Sequence, residues 1–299
     1  MKKLAIQIIS APSILGLKPT GVERMPAVLL KTGLAKMIDT PLRVIKVPTL
    51  NRKYSTEKHP GTNCINVLPI KNFSLKLGNI VSATVDKNNF PLVVGGDCSI
   101  LIGIMQSLKA RGNYGLFFLD GHADFYQPEN SLTGEVADMS LAIVSGRGPE
   151  LLTNINNLKP YVKDEYVIHL GQRDAALISE NKSADIRSTA ITCIDVDTIK
   201  QNGIEAITKN ISSIVNQWDI EGCWIHFDTD VLLDAINPAV DYRIPGGLFF
   251  QEVEQLLTEL LAIPKITGIS VTGYNPKLDV DGTIGLQIVQ TLKRVFKNQ

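Results

Sequence analysis

Short apolar runs alternate with longer amphipathic stretches along most of the chain. The short runs are typical of buried strands, and the longer stretches repeat apolar residues at helical spacing. The apolar runs predict strands at 4–9, 42–47, 90–94, 115–119, 166–170, 190–194, 222–227 and 266–271. The amphipathic stretches predict helices at 25–37, 73–87, 100–110, 204–216, 250–262 and 283–296.

Alternating strands and helices indicate a parallel sheet with helices on both faces. The sequence contains no Pro-, Gly- and Ser-rich linker long enough to separate domains. We therefore expect one doubly wound α/β domain over residues 1–299, with a mostly parallel sheet. Ligands of such folds bind beyond the carboxyl ends of the strands, so polar motifs at those ends are the first candidates for a site.

Composition fits a globular enzyme and narrows its partners. Hydrophobic residues make up 44% of the 299 residues and charged residues 20%, which indicates a sizeable core. The 30 basic and 30 acidic residues cancel, which argues against a nucleic-acid partner. No stretch approaches the roughly 18 apolar residues of a membrane span, so no membrane partner is expected either.

The cysteines indicate a reducing compartment, and we expect a cytoplasmic location. None of them forms a Cys-x-x-Cys pair, and three lie in or beside apolar runs, as buried thiols do. The stretch 4–9 follows two lysines and imitates a signal peptide, but Gln7 and Pro12 favour a first strand. The cysteines are Cys64, Cys98, Cys193 and Cys223.

Acidic and imidazole side chains follow two of the predicted strands. The sequence Asp-Gly-His-Ala-Asp occupies 120–124, and alternate residues of an extended chain share a face. Asp120, His122 and Asp124 can therefore converge on one side.

The second polar motif, His-Phe-Asp-Thr-Asp at 226–230, has the same alternation. Asp228 and Asp230, with His226 behind them, also share a side. Each motif by itself also fits a polar loop after a strand. Acidic side chains are costly to cluster unless a cation neutralises them, so the pair of motifs predicts two divalent cations that activate water.

A third strand end carries Gly-Gly-Asp-Cys-Ser at 95–99. Paired glycines allow a tight turn there. Asp97 or Ser99 can cap the following helix, and Cys98 can alternatively face the metals.

In order and spacing, the motifs at 95–99, 120–124 and 228–230 resemble those of the arginase/agmatinase (ureohydrolase) family. Segments at 21–26, 246–252 and 274–279 are also similar, so the resemblance covers nearly the whole chain. It implies a three-layer α/β/α fold and a dinuclear manganese (Mn²⁺) site. That site activates water for attack on a guanidinium carbon, which releases urea and an amine. The resemblance also implies a homo-oligomer, either a trimer or a hexamer.

Residue by residue, the resemblance implies two sets of metal ligands. One metal would be bound by Cys98, Asp120, Asp124 and Asp228. The other would be bound by Asp120, His122, Asp228 and Asp230. Asp120 and Asp228 would bridge the metals, and Asp124 would also orient the attacking water.

Cys98 occupies a position where the family has histidine. Cysteine binds metals as a thiolate, which favours zinc or iron over manganese. Three outcomes follow: a weakened first site, a different metal, or manganese bound by a thiolate. An inert buried thiol with one metal lost is the alternative.

The substrate loop at 132–139 also departs from the family pattern. Ala137 replaces the histidine that arginases are thought to use as a proton shuttle. Glu135 and Asp138 are acidic residues that the family pattern lacks in this loop, and they either recognise a cationic substrate or are simply solvated.

Gly273 occupies the position of the acidic residue that holds the guanidinium in arginases. The missing carboxylate favours a less basic substrate, such as an N-hydroxyguanidine like hydroxyarginine. Gly273 also leaves room for a larger group, and Tyr274 can offer a hydroxyl.

Three further side chains complete the candidates. His226 replaces a residue that is usually serine, and it is either a substitute proton shuttle or a packed core histidine. Tyr126 is placed to line the pocket mouth. Asp174 is placed either to bind a substrate ammonium or to form an internal ion pair with Arg173.

These features predict a metal-dependent hydrolase of linear C–N bonds other than peptide bonds, acting on a small guanidino or amidino compound. The alternative is a non-catalytic metal-binding or regulatory protein on the same fold, which Cys98 and Ala137 suggest. A nucleotide-binding enzyme is disfavoured, because no Gly-rich phosphate-binding motif follows a predicted strand.

Overall fold

A single parallel sheet forms the centre of the molecule. The computed structural model describes residues 5–49 and 54–297. Every strand pairing in these residues is parallel. The strands are β1 (Ile6–Ala11), β2 (Ile45–Lys46), β3 (Phe90–Gly95), β4 (Tyr114–Leu119), β5 (Val167–Leu170), β6 (Thr192–Ile194), β7 (Gly222–Asp228) and β8 (Ile266–Thr272).

Strand order explains where the polar motifs meet. The order is β2-β1-β3-β8-β7-β4-β5-β6, so the chain crosses from β3 to β4 and later returns to fill the gap with β7 and β8. The motif strands β3, β7 and β4, with β8 between β3 and β7, are therefore neighbours at the centre of the sheet. A hydrogen bond from Gly273 N–H to Gly96 O, 3.2 Å long, ties the loops after β8 and β3 together.

Helices cover both faces of the sheet. They are α1 (Met25–Lys31), α2 (Leu34–Met37), α3 (Val67–Asp86), α4 (Ile100–Lys109), α5 (Ser140–Val144), α6 (Glu150–Thr153), α7 (Ala175–Glu180), α8 (Val196–Asn202), α9 (Ile204–Val215), α10 (Phe250–Leu261) and α11 (Thr283–Lys297). Buried side chains of α1, α9, α10 and α11 form one core with the sheet, and those of α3, α4 and α5 form the other. The predicted three-layer α/β/α fold is confirmed.

The strand predictions are confirmed within a few residues, although predicted residue Leu4 lies outside the described ranges. The predicted helix 25–37 is wrong as one helix, because Gly33 adopts φ +102° and separates α1 from α2. Helix α3 begins at Val67, six residues before the predicted start at 73. Helices α5 to α8 were not predicted, because four to seven residues are too few to show a helical period.

Candidate metal centre

The polar motifs meet at the carboxyl edge of the sheet. Cys98 follows β3, Asp120 follows β4, and His226 and Asp228 belong to β7. Each of these four side chains offers one metal-binding atom, and the four atoms lie within 4.8 Å of one another. All four side chains are buried. We call them the first donor group.

A second donor group consists of Asp120, His122 and Asp230, whose donor atoms also lie within 4.8 Å of one another. His122 Nδ1 lies 2.7 Å from Asp230 Oδ2. Backbone N–H groups fix the carboxylates: Gly121 donates to Asp230 Oδ1 at 2.9 Å, and His122 donates to Asp120 Oδ1 at 2.7 Å. Because Asp120 belongs to both groups, two metals bound there would share it.

Asp228 connects the two donor groups. Its Oδ1 accepts a 2.8 Å hydrogen bond from the backbone N–H of Asp230. Its Oδ2 accepts hydrogen bonds from the Thr272 hydroxyl at 3.0 Å and from the Cys98 thiol at 2.7 Å. The carboxylate is therefore held from both sides before any metal binds.

Asp124 lies in neither donor group, although the resemblance implied that it binds a metal. Its backbone has φ +46°, a left-handed conformation that aspartate tolerates better than most residues. The carbonyl of Asp124 accepts hydrogen bonds from the N–H groups of Leu141 and Ala142, both 3.1 Å long. Ser140 donates to Asp124 Oδ2 at 2.9 Å, and the side chain lines the cavity above the donor groups.

Burial disfavours the charged forms of the carboxyl groups that cluster at the strand ends. Burial, reinforced by Asp230 and Asp124, raises the pKa of Asp120 well above its usual range. Burial likewise raises the pKa of Asp124 far above its usual range and that of Asp228 to about 7. Burial alone would raise the pKa of Asp230 too, but His122 beside it lowers that pKa to about 2.

These residues fit two divalent metals. Clustered buried carboxylates are stabilised by a cation between them, and each donor group presents its atoms closely enough for one ion. The donors are carboxylate oxygens, imidazole nitrogens and one sulfur, all of which bind divalent metals in proteins.

A cavity of about 330 Å³ opens above the donor groups. Its floor, here called the acidic floor, consists of Cys98, Asp120, His122, Asp124, Asp228 and Asp230. Its rim is built largely from loops after β4 and β7, and the rim side chains discussed below are Tyr126, Asp138, Asp174 and Tyr242. The wall is rich in carboxylates, as expected of a site for a cationic compound.

Two of the predicted substrate-binding residues are held in place at the rim. Tyr126 accepts a 2.9 Å hydrogen bond from Asn181 at its hydroxyl oxygen. Asp174 accepts hydrogen bonds from Ala123 N–H at 3.0 Å and from Gln172 Nε2 at 2.9 Å. Asp174 therefore does not form the predicted alternative, an ion pair with the neighbouring Arg173, whose Nη2 donates to the carbonyl of Asp230 at 2.5 Å.

Asp138 and Glu135 have different surroundings. Asp138 lines the cavity, and its Oδ1 has no hydrogen-bond partner among the described residues. Burial, with Glu135 adding to it, raises the pKa of Asp138 to about 8. Glu135 lies outside the cavity lining and accepts a 2.6 Å hydrogen bond from the hydroxyl of Tyr242. Glu135 is buried and supports a rim side chain, whereas Asp138 is partly buried and lines the cavity.

Three residues that position floor or rim side chains were not predicted from the sequence: Ser140, Thr272 and Tyr242. No motif marks them, because each is far in sequence from the residue that it contacts. Asp97 was predicted to cap a helix. Its Oδ1 accepts from Ser99 N–H at 3.0 Å, just before α4, and Ser13 donates to its Oδ2 at 2.7 Å.

Comparison with known proteins identifies the family. The sequence profile of the Arginase family matches residues 31–294. The chain is 29% identical to an arginase of Staphylococcus aureus (strain COL), over 99% of this chain and 98% of that protein. A crystal structure of arginase from Bacillus cereus superposes with a TM-score of 0.84 at 25% identity and covers 98% of both chains. Formimidoylglutamase from Bacillus subtilis shares the fold at 16% identity, with a TM-score of 0.75 over all of this chain and 88% of that one.

The chain belongs to the arginase family. It is a metal-dependent hydrolase of the guanidino C–N bonds of small molecules. Among the described helices, none combines the length and apolar character needed to cross a bilayer.

Two residues that follow β8, Gly273 and Tyr274, have surroundings that differ from those expected. Gly273 has φ +85°, and a Cβ atom there would lie 2.0 Å from Asp228 Oδ1. The expectation that Gly273 leaves room for a larger group is therefore wrong, because the carboxylate of Asp228 fills that space. Tyr274 does not offer its hydroxyl to the cavity, since it is buried and donates to Asp279 at 2.6 Å.

His226, another departure from the family pattern, also has surroundings that differ from those expected of a proton shuttle. The side chain is fully buried and lies outside the cavity lining, with its ring stacked on Phe118 at 4.9 Å. Burial lowers the pKa of His226 to about 3, so the ring is neutral. A neutral ring behind the floor is poorly placed to carry protons to a substrate, but it is among the donor atoms of the first group.

Proposed function

We propose that this arginase-family hydrolase uses two divalent metals, manganese at the oxygen-rich site, to hydrolyse a guanidino or amidino compound and release urea or a related product. The observation that carries this proposal is the pair of donor groups that share Asp120 at the floor of an acidic cavity. Metals bound there would supply water activated at neutral pH.

The residues around the metals have separate tasks in this proposal. Asp124 accepts a hydrogen bond from the attacking water with the carboxylate oxygen that Ser140 does not use. Asp138 offers an unpartnered buried oxygen to a cationic group of the substrate. Asp174 offers remaining lone pairs to an ammonium group, since a carboxylate accepts about four hydrogen bonds. Tyr126 lines the cavity mouth, and Glu135 acts through Tyr242.

An N-hydroxyguanidine such as hydroxyarginine is our proposed substrate within this class. Gly273 removes the carboxylate anchor expected for a plain guanidinium, and Asp228 fills the space beside it. An N-hydroxy group lowers the basicity of a guanidine, so that such a substrate depends less on a carboxylate anchor. Asp138, in the loop after β4, supplies negative charge when it is ionised, above a pKa of about 8.

Urea release is the test of this proposal. The protein is loaded with manganese and assayed with arginine, agmatine and hydroxyarginine, alongside Asp124→Asn and the control Asp219→Asn, which changes an exposed carboxylate. We expect urea from the wild type and from Asp219→Asn, and a large loss in Asp124→Asn.

Two results would count against the proposal. Equal urea release by wild type and Asp124→Asn would leave the non-catalytic metal-binding alternative in place. Turnover of arginine but not of hydroxyarginine would remove the N-hydroxyguanidine assignment while keeping the enzyme class.

We also propose a cytoplasmic homo-oligomer, a trimer or a hexamer by resemblance to the family. All four cysteines are free thiols, which supports a reducing compartment. Light scattering of the purified protein measures the oligomer directly.

A further inference from the structure

The first donor group is chemically unlike the second. It contains a thiol, an imidazole and two carboxylates, all buried. The second contains an imidazole and two carboxylates, with His122 and Asp230 partly exposed. Sulfur and nitrogen ligands suit zinc, and oxygen-rich sets suit manganese.

We propose that Cys98 and His226 both bind the first metal, together with Asp120 and Asp228, and make that position selective for a softer ion such as zinc. The imidazole that the family supplies at the position of Cys98 is thus replaced by one from β7. The inference rests on the proposed function only for the presence of two metals.

The distances permit this ligand set. Donors that lie about 2.0–2.3 Å from one tetrahedral zinc ion are roughly 3.3–3.8 Å apart. The four atoms of the first group lie within 4.8 Å of one another, and Cys98 Sγ lies 2.7 Å from Asp228 Oδ2, so side-chain shifts of about 1 Å would bring them to that spacing.

Hydrogen bonds fix the orientation of the His226 ring. Ser270 Oγ accepts the indole N–H of Trp224 at 3.0 Å and directs its own proton to the carbonyl of Ile225 at 3.5 Å. His226 Nδ1 lies 2.9 Å from the same oxygen. Because the hydroxyl has only one proton, we assign Nδ1 as the donor. This is the arrangement that usually supports a metal-binding histidine.

The other ring nitrogen then carries a free lone pair. His226 Nε2 lies 3.3 Å from the hydroxyl oxygen of Thr272. That hydroxyl gives its proton to Asp228 Oδ2 at 3.0 Å, so it does not satisfy Nε2. Cys98 Sγ lies 3.4 Å from the same hydroxyl oxygen, on the side of the donor group. The lone pair of Nε2 is therefore available to a metal.

Binding at Cys98 requires the thiolate. When the ion binds, the sulfur–hydrogen bond breaks, the proton is released to buffer, and the sulfur lone pair forms the metal bond. No oxidant or reductant is needed.

Cobalt(II) reports the sulfur ligand directly. Full-length protein is stripped of metal and titrated with cobalt, and a thiolate-to-cobalt charge-transfer band is sought in the near ultraviolet. We expect the band in wild type and in Cys64→Ser, a matched buried thiol outside the donor groups, and its loss in Cys98→Ser. Absence of the band in the wild type would overturn the role of Cys98.

Zinc X-ray absorption reports the nitrogen ligand. We expect sulfur at about 2.3 Å and imidazole nitrogen at about 2.0–2.1 Å in the wild type. His226→Gln should lose imidazole scattering and at least about 100-fold in zinc affinity, because loss of an outer-shell partner alone costs roughly 10–100-fold. His169→Gln, which changes another buried histidine on the far side of Phe118, should keep both. Identical spectra for wild type and His226→Gln would overturn the role of His226.

Two further variants test the role of His226 even if His226→Gln fails to fold. Ser270→Ala keeps His226 and removes the hydroxyl that accepts from both Nδ1 and the indole N–H of Trp224, and we expect about 10–100-fold weaker zinc binding. Cys98→His/His226→Ser restores the family-like residues, and it should bind less zinc relative to manganese in competition than the wild type. Equal zinc-to-manganese ratios in the two proteins would contradict the proposed selectivity.

The metal-ligand inference and the proposed function can be contradicted independently, because metal spectra test the first and urea release tests the second. A protein with the cobalt–thiolate band that hydrolyses no guanidino compound would retain this inference and lose the proposed function. A protein that binds two manganese ions without the band and releases urea would do the opposite.

Discussion

The acidic floor and the rim of the cavity are built in different ways. Floor carboxylates lie at the ends of adjacent strands, where backbone N–H groups of their own motifs fix them, as for Asp228 and Asp120. Rim side chains come from loops and are fixed by residues distant in sequence, as Tyr242 is by Glu135, 107 positions away. The sheet thus dictates the position of the reactive groups, whereas loop packing dictates which compound reaches them.

The departures from the family pattern also differ between the floor and the rim. The floor keeps its carboxylates and changes the atoms that accompany them, at Cys98 and His226. The rim loses an imidazole at Ala137 and gains the partly buried carboxylate of Asp138. We therefore expect floor substitutions to change metal content and rim substitutions to change substrate binding.

Asp228→Asn should have the largest effect. This carboxylate contacts Cys98, Thr272 and the backbone of Asp230, so its loss disturbs both donor groups. We expect loss of bound metal and a fall in urea release of more than about 100-fold, beyond the cost of losing an outer-shell partner. Metal analysis and kinetics measure the two effects. Full metal content in this variant would break the distinction between floor and rim.

Gly273→Ala should act on the floor by steric means. The new methyl group would lie 2.0 Å from Asp228 Oδ1, and the backbone has φ +85°. Gly282→Ala is a matched control, because Gly282 has φ +74° and no described neighbour lies within 4 Å of the point that its new methyl group would occupy. Both variants should lose about 1–2 kcal/mol of folding stability from the left-handed backbone.

Only Gly273→Ala should also lose metal affinity, by roughly 10–100-fold, as expected when the orientation of a ligand is disturbed. Thermal melts and metal titrations of both variants separate the two effects. Equal metal affinity in the two variants would show that Asp228 adapts to the added methyl group.

The sequence predicted the floor better than the rim for a physical reason. Strand alternation and the position of strand ends are local properties, so Asp120, His122 and Asp230 could be assigned to a metal site without coordinates. The ring of His226 was placed on the correct side, but its role as a donor depends on Ser270, 44 positions away.

Features that depend on tertiary contacts could not be predicted from the local sequence pattern. Gly273 suggests open space in the sequence, yet the neighbouring strand β7 fills that space with Asp228. The short helices α5 to α8 are stabilised by packing rather than by a visible period. In contrast, every strand among the described residues overlaps a predicted apolar run, although β2 is only the exposed pair Ile45–Lys46.

Asp138→Asn should weaken substrate binding without changing metal content. A hydrogen bond to a charged group contributes roughly 1.5–3 kcal/mol, so we expect KM for a guanidinium substrate to rise by about tenfold or more. The effect should depend on pH, because burial holds the pKa of Asp138 at about 8. The carboxyl group is mostly neutral at pH 7 and ionised at pH 9.

The plain guanidinium of arginine keeps its charge over this range, so arginine rather than an N-hydroxyguanidine is the substrate for this test. The wild-type KM should therefore fall as pH rises through about 8, while that of Asp138→Asn should lack this change. Steady-state kinetics from pH 7 to 9 tests both statements. Parallel pH profiles for the two proteins would exclude Asp138 from substrate binding.

Tyr242→Phe should have the smallest effect and marks the outer limit of the rim. The change removes the hydroxyl that donates to Glu135 and keeps the ring beneath Lys18, whose Nζ lies 4.3 Å from the ring centre. Because Tyr242 is 40% exposed, water can partly replace the hydroxyl, and we expect a loss of at most about 1 kcal/mol in folding stability. KM should change by less than about tenfold, with metal content unchanged.

Tyr166→Phe provides the control, because Tyr166 directly precedes the amino end of β5 and the cavity lies at the carboxyl edge of the sheet. A loss of metal in Tyr242→Phe alone would mean that the rim holds the floor in place, and the two regions would then have to be treated as one.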